Sequence, residues 1–170
     1  KVKKALNDKK TYERICAEYD LNPKSEHYSF VARLSEQKNP IRYLELVKGA
    51  YKKYGNQIQF IMVGNGPLSD DVDRYITDNQ MEGILKRIAY IEDVPNFMRI
   101  LSGLIITSNY EGMPIVSIEA MSMSIPILST DVGDLRRFLE KTHGGMIIDE
   151  KQKDIENFDV FRNNLDIYAQ

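Results

Sequence analysis

The sequence predicts an α/β fold, a parallel sheet with helices on both faces. Three observations predict it. Short apolar runs such as IQFIMV and GLIIT alternate along the chain with segments whose apolar residues recur at helical spacing. One of those runs feeds directly into a glycine turn, Gly64-Asn65-Gly66-Pro67, where a strand hands over to the next element. The chain has 170 residues, 42% of them hydrophobic, with a formal net charge of -2, enough to bury one core.

Each element follows in order. Tyr12, Ile15, Cys16 and Tyr19 mark a leading helix stopped by Asn22-Pro23. The first strand is Tyr28 to Ala32. A second helix places Ile41, Leu44, Val47 and Tyr51 on one face and ends at Gly55. The second strand is Ile58 to Val63, and Leu68, Val72, Tyr75 and Ile76 define the third helix. A short strand from Leu85 to Ile91 precedes a helix carrying Val94, Phe97, Met98 and Leu101. Strands Gly103 to Thr107, Ile125 to Ser129 and Gly145 to Asp149 follow, with helices at Pro114 to Met123 and Leu135 to Leu139 between them. Ile155, Phe158, Phe161, Leu165 and Tyr168 form a closing helix. Elements of this kind in this order make a Rossmann-like sheet.

Composition excludes several classes. There is no basic surplus to suggest nucleic acid. The single cysteine, Cys16, rules out a disulfide framework and a cysteine metal cluster, and is read as core. No apolar run reaches the length of a membrane span, so the segment is expected to be soluble and cytoplasmic. The chain opens on Lys1, in KVKKALNDKK without a clear strand, which suggests a fragment of a longer protein.

The charge pattern singles out one region. Between Arg99 and Asp131 the only charges are Glu111 and Glu119, although 28% of the chain is charged. About nine charges would be expected over that stretch. The helix at Pro114 to Met123 is apolar on nearly every face, through Ile115, Val116, Ile118, Ala120, Met121 and Met123, and so is expected to be buried. A carboxylate on it, Glu119, would need a partner or a ligand, since an unpaired buried charge costs several kcal/mol. Neither Gly112 nor Met113 offers a side-chain oxygen as a cap, which leaves the first amides of that helix open to an anion.

In a parallel sheet, ligands gather beyond the carboxyl ends of the strands. There the first strand is followed by Arg33-Leu34-Ser35-Glu36-Gln37-Lys38, two cations five residues apart. Two cations and free helix amides suit a diphosphate. Taken singly, each feature has a plainer reading. The cations could be solvated, the Gly64 turn ordinary, and Glu119 one partner of a structural ion pair. The two glutamates could instead be the acid and base of a glycosidase, a reading that leaves the cations and the uncapped helix unexplained. Ser69 stands where a dinucleotide fingerprint would want its third glycine. His27 and His143 read as satisfied or surface residues.

The ordered set FVARLSEQKNP, IQFIMVGNGP, IEDVPNFM, TSNYEGMPIVSIEAM, IPILSTDVGD and HGGMIID resembles the retaining glycosyltransferases of family four, also called group 1. The resemblance is to the C-terminal, nucleotide-sugar-binding half of their two-domain GT-B fold. It runs from about Tyr28 to Asp149, and the paired glutamates eight residues apart are its most specific element.

The resemblance implies that Arg33 and Lys38 hold the diphosphate and stabilise its departure. It places Glu111 as a catalytic contact to the donor sugar and Glu119 on the ribose. The backbone of Gly112, Met113, Pro114, Ile115 and Val116, through its free amides, belongs to the segment at the sugar and phosphates. Gly64, Asn65 and Gly66, with Ala89, Tyr90 and Ile91, would flank the base. It implies no cofactor and no metal, a nucleotide-sugar donor as substrate, and a missing N-terminal acceptor domain. The expected activity is retaining, metal-independent transfer of a hexosyl-type sugar to a glycan or lipid-linked acceptor. This fragment is expected to be inactive alone, and peripheral membrane association stays open for the full-length enzyme. A nucleotide-sugar-binding module without transferase activity and a GT-B-fold epimerase stay open beside it.

Pro114 and Glu119 are separated by roughly 8 Å of helix rise, the scale between a donor's sugar and its ribose. Some positions depart from the family. Ala32, Asn39, Ala89 and Ser124 stand where glycine is usual, and Gly103 where aspartate is common.

Overall fold

Six strands form one sheet in the order β3-β2-β1-β4-β5-β6, every neighbouring pair parallel. The computed structural model describes residues 9–169, so the opening KVKKALND lies outside the described residues. The strands are β1 (Glu26–Val31), β2 (Ile58–Val63), β3 (Leu85–Ile88), β4 (Gly103–Ile106), β5 (Ile127–Ser129) and β6 (Gly145–Ile147). Between and around them lie α1 (Lys9–Glu18), α2 (Pro40–Tyr54), α3 (Ser69–Asp78), α4 (Val94–Met98), α5 (Ile115–Ser122) and α6 (Leu135–Thr142). The described chain closes with α7 (Asp154–Asn163) and α8 (Leu165–Tyr168).

Side-chain alternation explains why both faces are covered. Phe60 and Met62 of β2 enter one core cluster, while Ile61 and Val63 enter the other. β4 divides in the same way, Ile105 to one side and Leu104 and Ile106 to the other. The first cluster is aromatic, with Tyr28, Phe30, Tyr43, Phe60, Phe158 and Phe161 under α2 and α7. The second is mostly aliphatic and gathers α1, α4 and α6 through Ile15, Phe97, Met98, Leu135 and Leu139.

Polar groups inside the cores are satisfied. The Tyr43 hydroxyl donates to the carbonyls of Tyr28 (3.1 Å) and Ile61 (3.0 Å), and burial pushes this phenol well above its ordinary range. His27 is fully buried, with Nε2 at 3.0 Å from the Asn22 carbonyl. Nε2 therefore carries the proton, and Nδ1 accepts from the Tyr12 hydroxyl at 3.2 Å. Cys16 is a buried free thiol, pushed up by burial, as a core residue should be. No helix among the described residues is long and apolar enough to cross a membrane.

Several boundaries differ from the sequence reading. β3 stops at Ile88, so Ala89 to Ile91 is loop, and the closing helix breaks at Asn164 into α7 and α8. The larger correction concerns α5. Only Ser117 and Ala120 within it are buried, while Ile115 is 74% and Ile118 52% exposed. Apolar composition predicts burial but not which layer supplies it, and nothing in the described chain lies over this outward face.

Candidate active site

The strand order places the candidate residues together. β1 is flanked by β2 on one side and β4 on the other, so the chain's winding reverses between β1 and β4. In this architecture ligands gather at the carboxyl ends of the strands beside such a reversal. Arg33 and Lys38 leave β1; Glu111 leaves β4.

The loops after β1 and β2 are zipped together by Leu34 N–H donating to the Asn65 carbonyl (3.0 Å) and Leu68 N–H to the Leu34 carbonyl (3.0 Å). Gly64 has φ +138°, and a Cβ there would stand 1.8 Å from the Ala32 carbonyl oxygen, so only glycine permits this approach. Arg33 is exposed at the tip of this structure and has no hydrogen bond or ion pair among the described residues.

Lys38 and Glu111 meet. The Lys38 ammonium pairs with Glu111 Oε1, and the two side chains are 22% and 7% exposed. Ser108 Oγ donates to the same oxygen at 2.8 Å, whereas Oε2 faces only the Gln37 amide at 3.4 Å. That amide also reaches the Tyr110 carbonyl (3.2 Å), and Asn109 N–H donates to the Gln37 carbonyl (2.8 Å). Thr107 Oγ1 donates to the Asn39 carbonyl at 2.9 Å. The two loops therefore form one hydrogen-bonded unit. Asn39 takes the left-handed conformation that a family glycine would (φ 48°), and its side chain caps α2 by accepting from Arg42 N–H at 3.2 Å. The departure from glycine is thus accommodated.

The amino end of α5 has no side-chain cap; Pro114 is its boundary residue. Its first amides and the helix dipole face the end from which Glu111 and Gly112 arrive. Gly133 fixes that arrival. With φ +52°, its absent Cβ would fall 1.7 Å from the Gly112 carbonyl oxygen and 2.9 Å from that of Glu111. Glu119 is half-buried on α5, and its carboxylate has no hydrogen bond or ion pair among the described residues, so the core ion pair that the sequence allowed is not formed. Ser124 ends this helix in the left-handed region at φ 52°.

On the β3 side, Arg87 Nη1 donates to the carbonyls of Gly64 (2.6 Å) and Ile88 (2.9 Å), tying the glycine turn to the loop after β3. Its Nε lies 3.3 Å from Asp73 without hydrogen-bond geometry. Tyr90, in that loop, is 77% exposed, and Ile91 is buried. Among the described residues no three His, Cys, Asp or Glu side chains group as metal ligands do.

The family model for glycosyl transferases group 1 matches residues 2–158. The chain belongs to this family. One relative is the UDP-Gal:alpha-D-GlcNAc-diphosphoundecaprenol alpha-1,3-galactosyltransferase of Escherichia coli, 29% identical over 135 residues that cover 77% of this chain and 34% of that protein. The chain spans about a third or less of the length of the first relatives it matches. Anabaena Alr3699/HepE, solved with UDP and glucose, superposes with a TM-score of 0.80 at 17% identity, covering 96% of this chain and 45% of that one. The C-terminal domain of a Francisella tularensis group 1 protein, LpcC, superposes at 0.77 with 16% identity, covering 94% of this chain and 87% of that domain. These likenesses give the fold, a Rossmann-like sheet as in GT-B glycosyltransferases.

The sequence reading named Lys38 and Glu111 for different parts of a ligand, and the structure places them in contact. It missed Gln37, Ser108, Gly133 and Arg87. Gln37 and Ser108 carry no signal beyond adjacency to Lys38 and Glu111, whereas Gly133, in TDVGD, is a glycine in a quoted stretch whose partner could not be known.

Proposed function

We propose that this chain is the donor-binding, C-terminal half of a GT-B glycosyltransferase, holding a nucleotide-diphospho-sugar for retaining, metal-independent transfer of a hexosyl-type sugar. The observation that carries the reading is three unfilled features on the segments that follow β1 and β4: Arg33 and Glu119, each without a partner among the described residues, and the uncapped start of α5. Cations and helix amides complement a diphosphate, and carboxylates complement pairs of sugar hydroxyls.

In this reading Arg33, Lys38 and the amides of Gly112, Met113, Ile115 and Val116 receive the diphosphate, with Pro114 setting the start of α5. Glu119 accepts from the ribose hydroxyls. Gly64, Asn65, Gly66, Ala89, Tyr90 and Ile91 border the base. When the bond between the anomeric carbon and the diphosphate oxygen breaks, its electron pair stays on the diphosphate, and the two cations offset that charge. The acceptor is held by a second domain, as in the two-domain fold, because transfer needs both reactants in line. The acceptor is a glycan or lipid-linked sugar, and the full-length protein works in the cytoplasm or peripherally at its membrane.

Calorimetric titration of the chain with UDP, GDP and ADP and their glucose conjugates tests this. Binding of one base series, unchanged by EDTA and unchanged by added magnesium, is the expected result. Absence of binding throughout would remove the donor-site reading, and loss on chelation with recovery in magnesium would remove its metal-free form.

A further inference from the structure

Resting on that donor-site reading, we propose that Glu111 competes with the donor diphosphate for Lys38. The competition would let the site distinguish a sugar-bearing nucleotide from the bare nucleoside diphosphate left after transfer. The two oxygens of Glu111 are not equivalent. Oε1 takes both the Lys38 ammonium and the Ser108 hydroxyl, while among the described residues Oε2 has only the long contact to Gln37, outside the range of a strong hydrogen bond. Oε2 is therefore the open acceptor of a carboxylate whose other oxygen is tethered.

The pair lies mostly out of water, where charges act on one another more strongly than at a surface. A diphosphate drawn to Lys38 arrives beside the Glu111 carboxylate and meets a cation that is already partly neutralised. A donor offsets this with sugar hydroxyls that donate to Oε2, as charge-assisted hydrogen bonds. The bare nucleoside diphosphate brings no such donor, and its terminal phosphate carries more charge. Glu111 thus disfavours the product more than the substrate, and its return to Lys38 assists product release. Ser108 and Gln37 act as positioning residues, holding Glu111 so that Oε2 faces the sugar.

Wild type, Glu111→Gln and Ser108→Ala would be titrated by calorimetry with UDP, GDP and ADP and with their three glucose conjugates. Glu111→Gln should bind the nucleoside diphosphate at least threefold tighter and the conjugate no tighter, so the preference for the conjugate collapses. Ser108→Ala keeps the charge and loosens its aim: the conjugate should weaken two- to tenfold while the diphosphate is unchanged. Diphosphate affinity unchanged or reduced in Glu111→Gln overturns the competition and leaves the donor-site reading standing. A wild type that binds none of the six ligands overturns both. If Glu111→Gln does not fold, Glu111→Asp, which draws the carboxylate back from Lys38, decides: tighter diphosphate binding supports the proposal, and unchanged or weaker diphosphate binding overturns it.

Discussion

The aromatic core under α2 and α7 and the carboxyl edge of the same sheet treat their side chains in opposite ways. In the core, Tyr28 meets Phe158 at 4.9 Å and Phe60 meets Phe158 at 5.6 Å between ring centroids, and Gly103 lacks a side chain where Phe161 and Tyr28 need the room. At the edge, Arg33 and Glu119 have no partners among the described residues, and Ile115 and Ile118 face outward. One region has satisfied its groups internally. The other holds groups that a ligand or a further layer would satisfy, so mutations in the two should separate stability from binding.

The largest expected effect breaks the core. Phe161→Ala removes a fully buried ring and should cost about 3–5 kcal/mol of unfolding free energy, read by denaturant titration. Nucleotide affinity of the fraction that remains folded should be unchanged. At the edge, Arg33→Ala should lose at least tenfold in nucleoside diphosphate affinity, in line with about 1.5–3 kcal/mol for a charged hydrogen bond. Its melting temperature should stay put. Loss of stability without loss of affinity would reverse the assignment of the two regions.

Glu119→Ala sharpens the contrast. With no internal partner to lose, its stability should stay within about 0.5 kcal/mol of wild type, while affinity for the nucleoside diphosphate falls. A large drop in stability would mean that the carboxylate has a structural partner after all. The smallest effect is expected of Asn39→Gly, which keeps the left-handed backbone and loses the cap to Arg42, at a few tenths of a kcal/mol by thermal denaturation.

This separation also explains what could be read before the structure. All six strands were legible because burial on both faces makes them apolar runs, and their ends were not, because Ala89 to Ile91 continues the apolar pattern of β3 without pairing. Glu111 and Glu119 stood out as the only charges in an uncharged stretch, and Arg33 and Lys38 as two cations in the loop after the first strand. That Lys38 touches Glu111 depends on β4 pairing with β1, a fact of strand order with no local trace in the sequence. Ser108 and Gln37 are ordinary residues given their positions only by that pairing. The exposed face of α5 was misread because Ile115 and Ile118 look the same in sequence whether the same chain or another layer covers them.

The bidentate contact of Arg162 with Glu26, at 2.8 and 2.9 Å, joins α7 to the start of β1 across 136 residues, beside Phe161 seated on the same strand. During synthesis at about 5–20 residues per second, β1 waits roughly 7 to 27 s for that helix to be made. Until then Tyr28 and Phe60 lack the rings of Phe158 and Phe161 that pack on them in the finished fold. The aromatic half of the molecule is thus the half most open to misassembly on the ribosome, and slowing translation before residue 154 should lengthen that exposure.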